Sequence, residues 1–209
     1  AIRPLSSLRN GRISQMTHPA EESWHRIVAW LHHNAPTSAA HIGPPATASE
    51  IAVVEALLNR PLPADLLAWW RHSCGVTDFL KGQLLPHYTP FTVDQAVERR
   101  EGLLDIDSFD DAETIALVAE PAGSECTFWL PVWLPLAHNG GGDYLLVDLR
   151  SGPLHGCIMK WDKYEAAISE PRWPNTATML AEIAYALDHG TDINGDQPEA
   201  NDDGTLDWV

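Results

Sequence analysis

Three consecutive glycines, Gly140, Gly141 and Gly142, followed by Asp143 and the apolar run Tyr144-Leu145-Leu146-Val147, restrict this chain more than any other stretch. Glycine reaches positive φ without a Cβ clash, so a sharp reversal is expected here. Upstream lies Trp129–Pro135, an aromatic, proline-punctuated segment of extended character. The apolar run is bounded by Asp143 and Asp148 and reads as a strand. Two extended segments joined by a tight turn make an antiparallel hairpin with an acid at its entrance. A phosphate cradle is not expected, because GGGD lacks the Lys-Ser/Thr of a P-loop and leads into a strand rather than a helix.

Helices are expected on both sides of this hairpin. Trp24, Ile27, Val28 and Leu31 recur at helical spacing and form one apolar stripe. Residues 34–46 read as a Pro/Gly/Ala connector. Thr47-x-x-Glu50 matches a capping box that opens a second helix with Ile51, Val54 and Leu58 on its buried face. A third helix opens at Pro63, with Asp65 at the positive end of its dipole, Leu66, Leu67 and Trp70 inward and Gly75 as its stop. Residues 76–91 read as a short hairpin or loop. Thr92-x-x-Gln95 opens another helix through about Leu103, and Ile115-Ala116-Leu117-Val118 reads as a strand within an acidic stretch.

Further strands are expected near 127–136, 144–149 and 156–161. A last helix runs from Thr176 to His189, with Leu180, Ile183, Ala184 and Leu187 inward and Gly190 as its stop. Helices, then strands, then a closing helix predict an α+β fold: a single domain with a central, mostly antiparallel sheet flanked by helices. The expected organisation is an N-terminal extension or cloning remnant over residues 1–20, the α+β domain over 21–190 and an acidic C-terminal tail over 191–209. That tail is expected to be mobile, with Leu206 or Trp208 as docking points.

Composition narrows the function classes. An apolar fraction of 44% over 209 residues supports a sizeable core. No apolar run reaches the roughly 18 residues of a membrane span, and no secretory leader is visible, so no membrane association is expected. Cys74, Cys126 and Cys157 are odd in number and form no CxxC pair, which points to a reducing, cytoplasmic setting with small buried thiols. The net charge is −16, and residues 1–15 hold three arginines and no acid, so the remainder carries −19. Such a balance repels nucleic acid and favours a basic partner.

Several short segments fall in a shared order. Pro44-Pro45-Ala46-Thr47 precedes Glu50-Ile51 and Glu55, and Leu62-Pro63-Ala64-Asp65-Leu66 opens the next helix. Leu84-Leu85-Pro86 and Trp133-Leu134-Pro135 follow, then Gly141-Gly142-Asp143-Tyr144, Val147-Asp148 and a final helix ending near Asp188-His189-Gly190. In order and spacing the chain resembles the SUKH superfamily over residues 22–190, in the branch of the fungal cell-wall-assembly regulators and their bacterial relatives. It departs from the pattern at Cys74-Gly75 and in the tail beyond Gly190.

The resemblance implies an α+β binding module rather than an enzyme, with no catalytic residues to carry over. Bacterial members are viewed as immunity proteins that neutralise toxins delivered by neighbouring cells, often nucleases or deaminases. Fungal members act in cell-wall regulation. The expectation is a cytoplasmic, non-enzymatic immunity protein that occludes a cognate toxin domain, such as a basic nuclease or deaminase, with a regulatory scaffold or small-ligand sensor as the alternative.

The candidate partner-binding residues are Trp133, His138, Asp143, Tyr144 and Asp148, grouped by the hairpin. Asp143 is placed to accept local amides, and Tyr144 and Asp148 to line a cleft on the strand's exposed face. Trp129 and Trp133 share one side of an extended segment, where they serve the core or, if exposed, a protein interface. No cofactor and no metal site are expected. His138, His155, Asp143 and Asp148 are the one mixed set a hairpin brings near, while adjacent His32 and His33 cannot share a helix face. A hydrolase using His138, Asp143 and Asp148 is the third reading. Ser124 and Cys126 lack an elbow sequence, and Cys74 sits at a helix end. Asp192-Ile-Asn194-Gly-Asp196 begins like a calcium loop, but Gln197 occupies the place of its turn glycine.

Overall fold

A computed structural model of the chain describes residues 17–106, 111–167 and 169–209. Most of the extension assigned to residues 1–20, together with Asp107 and Asp110 of the acidic stretch, lies outside the described residues.

Helix α1 (Pro19–Asn34) starts where a first-turn proline costs no hydrogen bond, and His18 Nδ1 accepts the Ala20 N–H at 3.2 Å. Trp24, Ile27 and Leu31 are buried as their spacing requires. The connector over 34–46 holds a short helix, α2 (Pro36–Ala40). Helix α3 (Ala48–Leu58) carries the expected capping box: Thr47 Oγ1 accepts the Glu50 N–H at 3.2 Å, and Glu50 Oε2 accepts the Thr47 N–H at 2.6 Å.

Helix α4 (Ala64–Trp70) ends before Gly75 can cap it. Gly75 serves close approach instead: at φ +75, a Cβ there would lie 2.3 Å from the Thr92 nitrogen. Helix α5 (Val93–Ile106) opens on the second box, with Thr92 N–H donating to Gln95 Oε1 at 2.9 Å.

The sequence expectation fails at Ile115–Val118, which lies within helix α6 (Asp111–Ala119). Periodicity cannot separate short apolar runs of strand and helix. Here Glu113 suits a helix N-terminus, and Ala112, Ala116 and Ala119 favour the helix. Ile115 is 70% exposed, so the run was never a buried strand.

Strands β1 (Thr89–Pro90), β2 (Trp133–His138), β3 (Tyr144–Asp148) and β4 (Cys157–Trp161) form one antiparallel sheet in that order. The register pairs Trp133 with Asp148 and His138 with Tyr144. It shifts between Pro135 and Ala137, a bulge that lets a proline stand in an inner strand. Helix α7 (Thr176–His189) closes the domain against α1 and stops at Gly190, φ +64. The described residues thus form an α+β domain around one hydrophobic core.

The C-terminal residues pack onto the domain. Strands β5 (Pro198–Ala200) and β6 (Leu206–Trp208) pair as a hairpin that buries Ile193, Leu206 and Trp208 in the main core. Ser38 Oγ accepts the Leu206 N–H at 3.0 Å, and the Gly204 carbonyl accepts the Thr37 N–H at 2.8 Å, so α2 is the dock for this hairpin. Leu206 and Trp208 are thus the docking points their apolar side chains suggested, and Ile193 is a third anchor that the sequence reading did not single out. Among the described residues no helix is long and apolar enough to cross a membrane.

Candidate functional site

The glycine turn is organised by one side chain. Asn139 Oδ1 accepts the N–H groups of Gly141 (2.8 Å) and Asp143 (3.1 Å), and its Nδ2 donates to Asp143 Oδ2 (2.8 Å). Asp143 Oδ1 accepts the Lys163 N–H at 3.2 Å, and Lys163 Nζ donates to the Gly141 carbonyl at 2.8 Å. The turn is therefore tied to the segment that follows β4. Gly140 is required here, since its φ is +76 and a Cβ would meet the Phe79 ring at 2.5 Å.

Beside the turn, the His138 ring lies between Phe79 and Phe91, with centroids 4.8 and 4.5 Å away and near-parallel planes. Burial, and then the nearby Arg99 charge, hold its pKa below the ordinary histidine value, which favours the neutral ring. Tyr144, paired with His138 in the register, is 8% exposed. The Arg99 guanidinium carbon stands 5.7 Å from its ring centroid, within cation–π reach.

Helix α5, packed on β2, presents Gln95, Glu98 and Arg99 to this end of the hairpin. A cavity of ≈ 250 Å³ lies between them and His138, and a second of ≈ 390 Å³ continues past Arg99 and Tyr144 to Trp161, Lys163 and Tyr164. Arg99 and Tyr144 line both, so the two form one groove. On the other side of α5 a third hollow of ≈ 260 Å³ is floored by Val53 and Val97 and rimmed by Glu50, Asp94, Glu98 and Glu101. Val53 is 51% exposed, an apolar centre ringed by acids, and Glu98 borders both this patch and the groove.

The sequence candidates divide between opposite ends of the hairpin. His138, Asp143 and Tyr144 meet at the groove. Trp133 and Asp148 do not: both are 0% exposed, and the register places them at the far end. Asp148 Oδ2 accepts from Arg150 Nη2 (2.7 Å), Arg150 Nε (3.0 Å) and the Gly123 N–H (2.9 Å). Arg150 Nη2 also donates to the Ser124 carbonyl at 2.6 Å, and its guanidinium carbon lies 5.4 Å from the Trp133 ring centroid. These groups are consumed by the fold, which corrects their assignment to a partner surface. Trp129 and Trp133 pack edge to face at 5.7 Å, both buried, in the core role.

The same separation disposes of a hydrolase or metal set built from His138, Asp143, Asp148 and His155. Asp148 is held by Arg150, and His155 Nδ1 contacts the Arg150 carbonyl at 3.0 Å, away from His138. Cys74 and Cys157 are buried, and burial pushes each thiol up to about 12, far from a nucleophilic thiolate. In the calcium-like segment Ile193 points into the core, Asp192 accepts the Gly195 N–H (2.9 Å) and Asp196 pairs with His87 (3.0 Å). Those acids do not converge.

Sequence reasoning missed Glu98, Arg99 and Lys163, and read Gln95 only as a cap. One signal was available: Val53 and Val97 are apolar residues off the buried stripes of their helices.

A four-stranded antiparallel sheet under helices, with a polar groove and an acid-rimmed apolar patch, makes this an α+β domain. The SMI1 / KNR4 family (SUKH-1) matches residues 45–182, and the chain belongs to that family. No curated protein sequence matches the chain.

Proposed function

We propose that the protein is an immunity protein: a non-enzymatic, cytoplasmic binding module that occludes a toxin domain delivered by a neighbouring cell. The recognition surface is the groove of His138, Asp143, Tyr144 and Arg99, together with the acid-rimmed patch across α5. The observation that carries this reading is the junction of the two at Glu98. An apolar centre with a polar rim is the anatomy of a protein interface. Four carboxylates around Val53, in a chain of charge −16, suit a basic partner and accelerate its approach. Inhibition is steric, since neutralising a toxin requires only that its site be covered.

The test is binding and protection with the toxin domain encoded beside the gene. Tight binding that weakens with added salt, together with rescue of cells expressing that toxin, is expected. A folded protein that neither binds nor protects would sink the proposal.

A regulatory scaffold or small-ligand sensor is favoured by one observation: the hollow past Tyr144, at ≈ 390 Å³, falls within the size range of small-molecule sites. A metabolite retained through native purification, with no toxin gene nearby, would select this reading.

A further inference from the structure

Away from the groove residues, where α1 meets the end of α4, Glu21, His25 and His72 bring one ligand atom each to within 4.8 Å of one another. We propose that these three side chains form a zinc-binding site that ties the start of α1 to the end of α4. Glu21 and His25 are four residues apart on α1, so they share one helix face. His72 comes from a different element, two residues beyond α4, and its Nε2 lies 3.1 Å from Glu21 Oε1. The His25 and His72 rings stand edge to face with centroids 4.8 Å apart. Tetrahedral zinc, with bonds of about 2.0–2.1 Å, needs donors about 3.3 Å apart, so small side-chain rotations suffice.

The scaffold beneath is rigid. Trp24 and Trp69, both buried, pack at 5.5 Å between α1 and α4, fixing the backbones that carry the ligands. Glu21 and His72 are about one-third exposed, shielded enough to limit competing water and open enough for an ion to enter. Two imidazoles and one carboxylate suit zinc better than magnesium or calcium, which prefer oxygen alone. Glu21 and His72 also line a hollow of ≈ 200 Å³ shared with His18. Arg26, next to His25, is drawn away by Asp188 at 2.6 Å. Arg71 faces the hollow and opposes the ion locally, against the attraction of a chain carrying −16.

Calorimetric titration of the untagged full chain with zinc chloride tests this. One equivalent is expected to bind, with thermal stability rising as zinc is added. His72→Gln and His25→Gln are each expected to weaken binding about tenfold or more, in line with the loss of a ligand. His32→Gln/His33→Gln, on the last turn of α1, should bind as the parent does, and Arg71→Gln should bind more tightly. Zinc should also protect His25 and His72 of the unaltered protein from acylation, a readout that needs no variant. Absence of stoichiometric binding, or unchanged affinity in the His25→Gln/His72→Gln protein, would overturn the site.

Discussion

Asp143 and Asp148 stand five positions apart at the two ends of β3, and the fold treats them in opposite ways. Asp148 is fully buried, where Arg150 and the Gly123 amide use its carboxylate and the Ser124 carbonyl accepts a further bond from Arg150 Nη2. Asp143 is half-buried, ties the glycine turn to Lys163 and borders an open groove. The far end of the hairpin is a structural lock and the turn end is a surface. Charge on a strand therefore says nothing about function until its exposure is known. A buried ion pair such as Asp148–Arg150 holds loops together, whereas a partner must meet groups that remain accessible.

Substitutions should separate the two ends most sharply through Asp148. Asp148→Ala leaves Arg150 charged and uncompensated in the core, and should cost about 3–5 kcal/mol in denaturant unfolding. A loss below about 1 kcal/mol would erase the contrast. Asp143→Ala removes hydrogen bonds from a half-exposed turn, so a loss of about 1–2 kcal/mol is expected, with the domain still folded.

His138 gives a pH-dependent comparison. Its folded pKa is lowered by burial and by Arg99, while the unfolded chain protonates near the ordinary value of about 6.5. The unfolded state therefore takes up the proton first. The stability contributed by the neutral ring is present above that pH and is lost as pH falls through it toward the folded value. Unfolding curves of His138→Gln should show a weaker dependence on pH over that window, and an unchanged dependence would remove the cause assigned here. The smallest stability effect is expected for Arg99→Ala, within about 0.5 kcal/mol, because Arg99 is exposed on α5.

Much of the frame was legible in the chain. Gly140–Gly142 announced the hairpin, both capping boxes formed as read, and α7 runs from Thr176 to His189 as its periodicity required. What could not be read was which groups the tertiary fold would bury. Nothing local distinguishes Asp148 from Asp143, because the difference lies in Arg150 turning back beneath Trp133 and in a loop 25 residues upstream. Ile115–Val118 was too short to betray its period, and in the tail Leu206 and Trp208 stood out as anchors while Ile193 was masked by its polar neighbours. The groove was half visible, in Tyr144 and His138, but Arg99 reaches it only because α5 packs across β2. The Glu21 and His25 spacing was in plain view, yet His72 joins it through the packing of α4 on α1.

The central claim, that the turn end of the hairpin is the recognition surface, is tested most directly by the affinity of Arg99→Ala for the toxin domain encoded beside the gene. Tyr185→Ala, on the exposed face of α7, serves as the distant control. Loss of about 2 kcal/mol or more of binding in Arg99→Ala, with unfolding unchanged and the control binding normally, is the predicted result. Full binding by Arg99→Ala, or equal loss in both variants, would contradict the account.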